Sequence, residues 1–113
     1  MNDRRIGTAG IPASAQPRNS QNGIKRLNEL GLNCMELEFV RSVQMGEKTA
    51  RAVRKTAEEM GVALTVHAPY YVNLNSAEPE KIEASKGRIL KAARIGSIAG
   101  AKSVTFHAAY YHD

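Results

Sequence analysis

Two histidines and one glutamate recur in this sequence at matching distances from three glycines. Each follows its glycine by six or seven residues; the pairs are Gly31 and Glu38, Gly61 and His67, and Gly100 and His107. Imidazole and carboxylate side chains are ligands that zinc and other first-row metals favour. Three such ligands with one open position make a catalytic metal site, so the repeat predicts a shared site.

Each of these residues also has a non-catalytic interpretation. A histidine that follows a strand often serves only as a hydrogen-bonded structural residue, and Glu38 could equally pair with Arg41 or hold a loop. The matching positions of His67 and His107 favour metal ligands. The sequence contains neither Cys-x-x-Cys nor His-x-x-x-His, which would indicate a closed zinc site, and no Gly-x-Ser-x-Gly or P-loop motif.

The glycines belong to a larger repeat that would position these side chains. Before each glycine, apolar residues recur at helical spacing, and after it comes a short β-prone run. The apolar positions are Ile24, Leu27 and Leu30 in the first segment, Ala50, Val53, Ala57 and Met60 in the second, and Ile82, Ile89, Ala93 and Gly96 in the third. A glycine at each helix end supplies the left-handed conformation needed there, and Pro79 suits the first turn of the third helix.

A further strand, predicted over Arg5–Ala9, opens the chain and completes the order βαβαβαβ. Connections of helix length imply parallel strands with right-handed crossovers, as in a doubly wound sheet or a (β/α)₈ barrel. The stretch Gly7–Pro12 lacks the glycine-rich phosphate-binding pattern of a dinucleotide fold, which favours the barrel. A complete barrel needs eight strands and about 250 residues. We therefore expect residues 1–113 to form its N-terminal half, strands 1–4 and helices 1–3, with the C-terminal half absent.

Composition limits the class of protein. The net charge of +5 is compatible with an anionic partner such as nucleic acid, and Cys34 has no second cysteine to pair with. No apolar run reaches the roughly 18–20 residues of a membrane helix, and no signal peptide opens the chain. These features predict a cytoplasmic protein without a membrane partner, and they set no oligomeric state.

The strand-end residues also carry a resemblance to a known family. The stretch His67-Ala68-Pro69-Tyr70-Tyr71-Val72-Asn73-Leu74-Asn75 resembles the strand-three motif of endonuclease IV, the zinc-dependent apurinic/apyrimidinic (AP) endonuclease family. Phe106-His107 resembles the family's strand-four motif, and Met35–Arg41 is similar to its archaeal-type branch. The family lies in the xylose-isomerase-like TIM barrel superfamily, and the resemblance spans essentially the whole chain.

The resemblance implies a DNA-repair hydrolase that cleaves the phosphodiester 5′ to abasic sites in double-stranded DNA during base excision repair. His67 and His107 would ligate one zinc of a three-zinc cluster. Tyr70, Asn73 and Arg41 would contact DNA. Glu38 would support the ligands or act as an acid or base.

Departures from the family pattern keep other interpretations open. Ala108-Ala109 replaces the usual Pro-Gly, and the first-strand loop carries no histidine. The remaining ligands would lie in the absent half, so this chain would hold at most one partial zinc site and be inactive alone. The alternative is a metal-dependent sugar isomerase or epimerase of the same superfamily, with Glu38 in proton transfer and Tyr70 against the sugar. A third interpretation is a non-catalytic binding or folding remnant.

Overall fold

The structure is a computed structural model of the chain, and it describes residues 4–39, 43–69 and 72–107. Strands and helices alternate in these ranges: β1 (Gly7–Ala9), α1 (Ser20–Glu29), β2 (Cys34–Glu38), α2 (Glu47–Met60), β3 (Ala63–His67), α3 (Pro79–Ile98) and β4 (Val104–Thr105). The four strands pair in parallel as one sheet with the order β1-β2-β3-β4. This confirms the predicted fold class, an α/β chain with four parallel strands of a partial TIM barrel.

The three repeat glycines end their helices as predicted. Gly31, Gly61 and Gly100 have φ angles of 76°, 67° and 80°. A β-carbon is strained in this left-handed region, so glycine is the residue that turns the chain most easily from helix to strand. After Gly61, the amide of Val62 donates to the carbonyl of Ala57 at 2.9 Å, which closes the end of α2.

The two faces of the sheet have different chemistry because side chains alternate along a strand. One face, called here the helix face, carries the buried side chains of β2 and β3 and packs against all three helices. Its strand residues are Met35, Leu37, Leu64 and Val66, each at most 3% exposed. The other face, called here the open face, carries Cys34, Glu36 and Glu38 from β2 and Ala63, Thr65 and His67 from β3. Among the described residues, the buried hydrophobic cluster thus lies on the helix side of the sheet.

Helix α3 buries mainly small residues together with Ile95, and not the isoleucines that the sequence pattern predicted. The predicted apolar side included Ile82, Ile89 and Ala93, yet these are only half-buried. The residues that α3 buries are Ser85, Ala92, Ile95 and Gly96. A β-carbon built on Gly96 would lie 3.0 Å from Cγ2 of Val66. The helix therefore approaches β3 closely at Gly96, and Ile82 and Ile89 lie outside the buried core cluster.

The outer strands are shorter than the sequence pattern predicted. The strand expected over Arg5–Ala9 begins only at Gly7; before it, the Ile6 amide donates to the side-chain Oδ1 of Asn33 at 2.8 Å, and the Ile6 carbonyl accepts from the Asn33 amide at 2.9 Å. At the other edge, Val104–Thr105 pairs with the last two residues of β3. Within residues 4–39, 43–69 and 72–107, no helix has the length and apolar character needed to cross a membrane.

Candidate functional site

The sheet register brings the predicted site residues to one rim. Glu38 and His67 are the last residues of β2 and β3, and they stand opposite each other in the parallel ladder. His67 in turn stands opposite Thr105. Past the paired residues, the Ala68 amide donates to the carbonyl of Thr105 at 2.8 Å, which keeps β3 and β4 together at this end. Glu38 and His67 therefore end two neighbouring strands at the carboxyl edge of the sheet, and His107 follows the third.

The two histidine rings lie next to each other. The ring centroids of His67 and His107 are 5.3 Å apart, and the ring planes are tilted by 47°. Two imidazoles that share a tetrahedral zinc through nitrogens at about 2.1 Å have centroids roughly 5 Å apart. The spacing of this pair thus fits two ligands of one ion.

A hydrogen bond sets the proton position on His67. Its Nδ1 lies 2.8 Å from the carbonyl oxygen of Ala68. A carbonyl oxygen only accepts, so Nδ1 carries the hydrogen and donates it. In the neutral ring the lone pair is then on Nε2, and metal-ligating histidines commonly use such a bond to a backbone carbonyl to fix their orientation. Within the described residues, however, no group of three or more His, Cys, Asp or Glu side chains could hold a metal. The histidine pair therefore fits part of a metal site whose other ligands this part of the chain does not supply.

Two glutamates joined by a side-chain hydrogen bond lie beside His67. Glu36 and Glu38 lie two positions apart on β2 and project from the open face. The pKa of Glu38 is raised to about 7, first by partial burial, then by a side-chain hydrogen bond with Glu36 and by the negative charge of Glu36. His67 acts in the opposite direction. Between its ordinary pKa of 4.5 and about pH 7, Glu38 therefore keeps a proton that an isolated glutamate would have released.

Glu36 did not enter the sequence prediction, although the sequence carries a signal for it. Strand β2 alternates strictly between buried apolar and more exposed residues, and both glutamates occupy the second set: Cys34, Met35, Glu36, Leu37, Glu38. Two acids at this spacing on one strand face lie close enough for their side chains to meet. That alternation could have identified the pair before the structure.

We expect Glu36→Gln to change how folding stability depends on pH. The folded protein holds a proton on Glu38 up to about pH 7, whereas the unfolded chain releases it near the ordinary value of 4.5. Stability therefore falls as pH rises through this window. Removing the neighbouring charge lowers the pKa of Glu38, so the variant should lose less stability than the wild type between about pH 5 and about pH 8.

Urea unfolding at the two pH values measures this effect. Glu59→Gln, on the exposed side of α2, serves as the control and should keep the wild-type pH dependence. Equal pH dependence in the wild type and Glu36→Gln would contradict the coupling of the two carboxyl groups.

A cavity of about 270 Å³ adjoins the glutamate pair. It lies between the segment after β1, the start of α1 and the carboxyl end of β2. Its polar lining includes Arg18, Ser20, Glu36 and Glu38, and Ile11 and Phe39 are among its apolar walls. The cavity thus offers a cation and two carboxyl groups to a small polar group that reaches this rim.

The predicted DNA-contacting residues have different outcomes. Tyr70 and Arg41 lie outside the described residues. Asn73 is half-buried in the segment that joins β3 to α3, and its side-chain oxygen accepts a hydrogen bond from the Asn75 amide at 3.0 Å. The assignment of DNA contact to these three residues, and of zinc to the histidines, stays a prediction.

Sequence comparison finds a family and a relative. Residues 24–113 match the family described as xylose isomerase-like TIM barrel. An uncharacterized protein of Methanocaldococcus jannaschii is 41% identical over 106 residues, which cover 94% of this chain and 37% of that protein. The chain therefore spans little more than a third of this relative.

Structural comparison finds two kinds of enzyme. Endonuclease IV from Thermus thermophilus superposes with a TM-score of 0.72 at 19% identity, over 92% of this chain and 40% of that one. D-psicose 3-epimerase from Clostridium cellulolyticum, solved with D-tagatose, superposes with a TM-score of 0.67 at 15% identity, over 88% of this chain and 37% of that one. At these identities the likeness shows the fold and leaves the reaction open between the two kinds. The chain belongs to the xylose isomerase-like TIM barrel family, whose fold the solved endonuclease IV and epimerase structures share.

Proposed function

We propose that this chain supplies the first four strands of a zinc-dependent AP endonuclease that cleaves double-stranded DNA 5′ to abasic sites. The observation that carries the proposal is the histidine pair, with His67 and His107 at 5.3 Å on the carboxyl rim of the sheet. The strand-three motif of the sequence and the structural likeness to endonuclease IV support it. In this proposal residues 1–113 act only within a complete barrel, because the other zinc ligands come from further strands.

In this function His67 and His107 would hold zinc through their imidazoles, and the Nδ1 bond to Ala68 keeps the His67 ring oriented. Zinc, when bound, supplies a Lewis acid for the scissile phosphate and lowers the pKa of a coordinated water. Glu38 would sit beside this centre as an acid or base, or as a support for the ligands. Its hydrogen-bonded partner Glu36 raises the pKa of Glu38, so Glu38 would carry less negative charge near an anionic substrate.

Abasic duplex DNA is the proposed partner. Tyr70, Asn73 and Arg41 would contact it, and the excess of sixteen Lys and Arg over eleven Asp and Glu favours a polyanion. A cytoplasmic location belongs to the same proposal, since Cys34 is a free thiol in the structure and reducing compartments preserve such thiols.

Incision of a synthetic duplex tests the proposal. We expect the complete barrel, supplied with zinc, to cut an oligonucleotide duplex on the 5′ side of a single abasic site and to leave the undamaged duplex intact. A zinc chelator should abolish the cut, and added zinc should restore it. Failure to cut the abasic duplex with zinc bound would overturn the endonuclease proposal.

A sugar isomerase or epimerase is the second candidate, and the glutamate pair favours it. Glu36 and Glu38 face a cavity of about 270 Å³, a size suited to a small polyol, and D-psicose 3-epimerase shares the fold. Incubation of the same protein with ketohexoses, followed by chromatography of the sugars, separates the two candidates. Sugar conversion without DNA incision would establish the second.

We expect Tyr70→Ala to weaken DNA binding without loss of zinc. An aromatic ring stacked in an opened duplex contributes roughly 1–3 kcal/mol, so KM for the abasic duplex should rise by a corresponding factor. Tyr70→Phe keeps the ring and should stay near the wild type. Equal losses in both variants would contradict stacking as the role of Tyr70.

A further inference from the structure

Helix α3 buries a hydroxyl that makes its bond outside the helix. Ser85 is only 2% exposed, and its Oγ accepts a hydrogen bond from the backbone amide of Asn73 at 2.8 Å. Thr56 in α2 is the other polar residue that is buried among the described residues, and its hydroxyl donates to Ala52 within its own helix. The Ser85 hydroxyl thus differs in joining two separate segments of the chain.

The bond joins Asn73, which follows β3 in the chain, to α3. Val72 is fully buried directly before Asn73, and Ala68 and Pro69 are buried directly after His67. On the helix side, Ser85 is the first buried residue of α3, and the next is Ala92, two turns later. The polar contact at Ser85 therefore joins the first buried position of α3 to the backbone of Asn73.

The helix that carries Ser85 is itself fixed to the sheet. Gly96 brings α3 against Val66 of β3, and Ala92 and Ile95 are buried in the same cluster. Strand β3 ends at His67. The backbone of Asn73 is thus connected to α3 by the hydrogen bond to Ser85, and α3 is packed at Gly96 against β3, the strand that carries His67.

We propose that Ser85 is a positioning residue that sets the place of Asn73 relative to His67, and so shapes the substrate-contacting segment of the site. The proposal rests on the proposed function, in which Asn73 contacts DNA and His67 holds zinc. Ser85 acts through the Asn73 amide and does not touch the substrate. Its loss should therefore affect substrate binding more than the chemical step.

Two measurements on the complete barrel test this role. In Ser85→Ala the Asn73 amide loses its acceptor, and its hydrogen exchange, followed by NMR, should accelerate about tenfold or more. The KM for the abasic duplex should rise about 5- to 20-fold, with kcat within about twofold and zinc content unchanged. Thr56→Val is the matched control, since it removes a buried hydroxyl whose bond stays inside one helix. It should change neither the Asn73 exchange nor KM.

The outcomes separate the role of Ser85 from the proposed function. Unchanged hydrogen exchange of the Asn73 amide in Ser85→Ala overturns the positioning role. The role is also overturned if Ser85→Ala and Thr56→Val change KM and kcat by the same factors. A wild-type protein that leaves abasic duplexes uncut overturns the proposed function instead. In that case the Asn73 exchange still decides whether Ser85 holds this segment.

Discussion

His67→Ala is expected to lower incision of abasic duplexes by at least about 100-fold in the complete barrel. Loss of groups that merely orient a ligand already reduces metal affinity or activity about 10- to 100-fold, so loss of a ligand should exceed that range. The variant should also bind less zinc, because the remaining ring of His107 cannot replace the second nitrogen. Zinc content by mass spectrometry and incision rate under zinc-replete conditions measure the two effects.

Thr65→Val provides the control on the same strand and the same face. Thr65 is half-buried two positions before His67, and valine preserves its shape while removing the hydroxyl. We expect normal zinc content and an incision rate near the wild type. If His67→Ala retains its full zinc content and its activity, the assignment of His67 as a ligand is wrong, and the ring then has only the structural role that its bond to Ala68 supports.

Gly7→Ala is expected to destabilise the protein by at least about 3 kcal/mol, at the upper end of the usual cost of overpacking. A β-carbon built on Gly7 would lie 1.4 Å from the carbonyl oxygen of Cys34, inside the backbone of the neighbouring strand. Backbone cannot rotate aside as a flexible side chain does, so β1 must separate from β2. Chemical unfolding followed by far-UV circular dichroism should show the loss directly.

The same substitution at Gly87 should have the opposite sign. Gly87 lies inside α3, is exposed, and a β-carbon there meets no atom within 4 Å. Alanine favours the helix by about 0.8–1.0 kcal/mol over glycine at such a position, so Gly87→Ala should raise stability by up to about that amount. Similar losses from Gly7→Ala and Gly87→Ala would show that the contact with β2 is not what makes glycine necessary at position 7.

Local patterns in the sequence determined the elements and their order. Apolar spacing identified the three helices, and Gly31, Gly61 and Gly100 marked their ends, because a left-handed residue is a local requirement of the backbone. Helix-length connections then implied a parallel sheet, and the similar offsets of His67 and His107, six and seven residues after their glycines, implied neighbouring strand ends. In a parallel sheet, residues at similar distances from the start of neighbouring strands lie close in space, which is why the histidine pair could be predicted.

Which side chains a helix buries and which distant residues it contacts depend on how closely the helix packs on the sheet. Local sequence patterns do not encode that distance. Ile82 and Ile89 of α3 follow a helical stripe, yet they are only half-buried, and the helix approaches β3 closely at Gly96 instead. The spacing of Ser85 and Asn73 gives no sign that a hydroxyl and an amide will meet, because the segment between them folds back on α3.

The sequence by itself thus determined which residues reach the rim of the sheet, through helix ends and strand order. Only the tertiary structure decided what surrounds them there. The raised pKa of Glu38 beside Glu36 and the bond from His67 to the Ala68 carbonyl both require particular side-chain distances and burial. Such distances arise from the packing of helices on the sheet, because burial and neighbouring charges come from residues far apart in the chain.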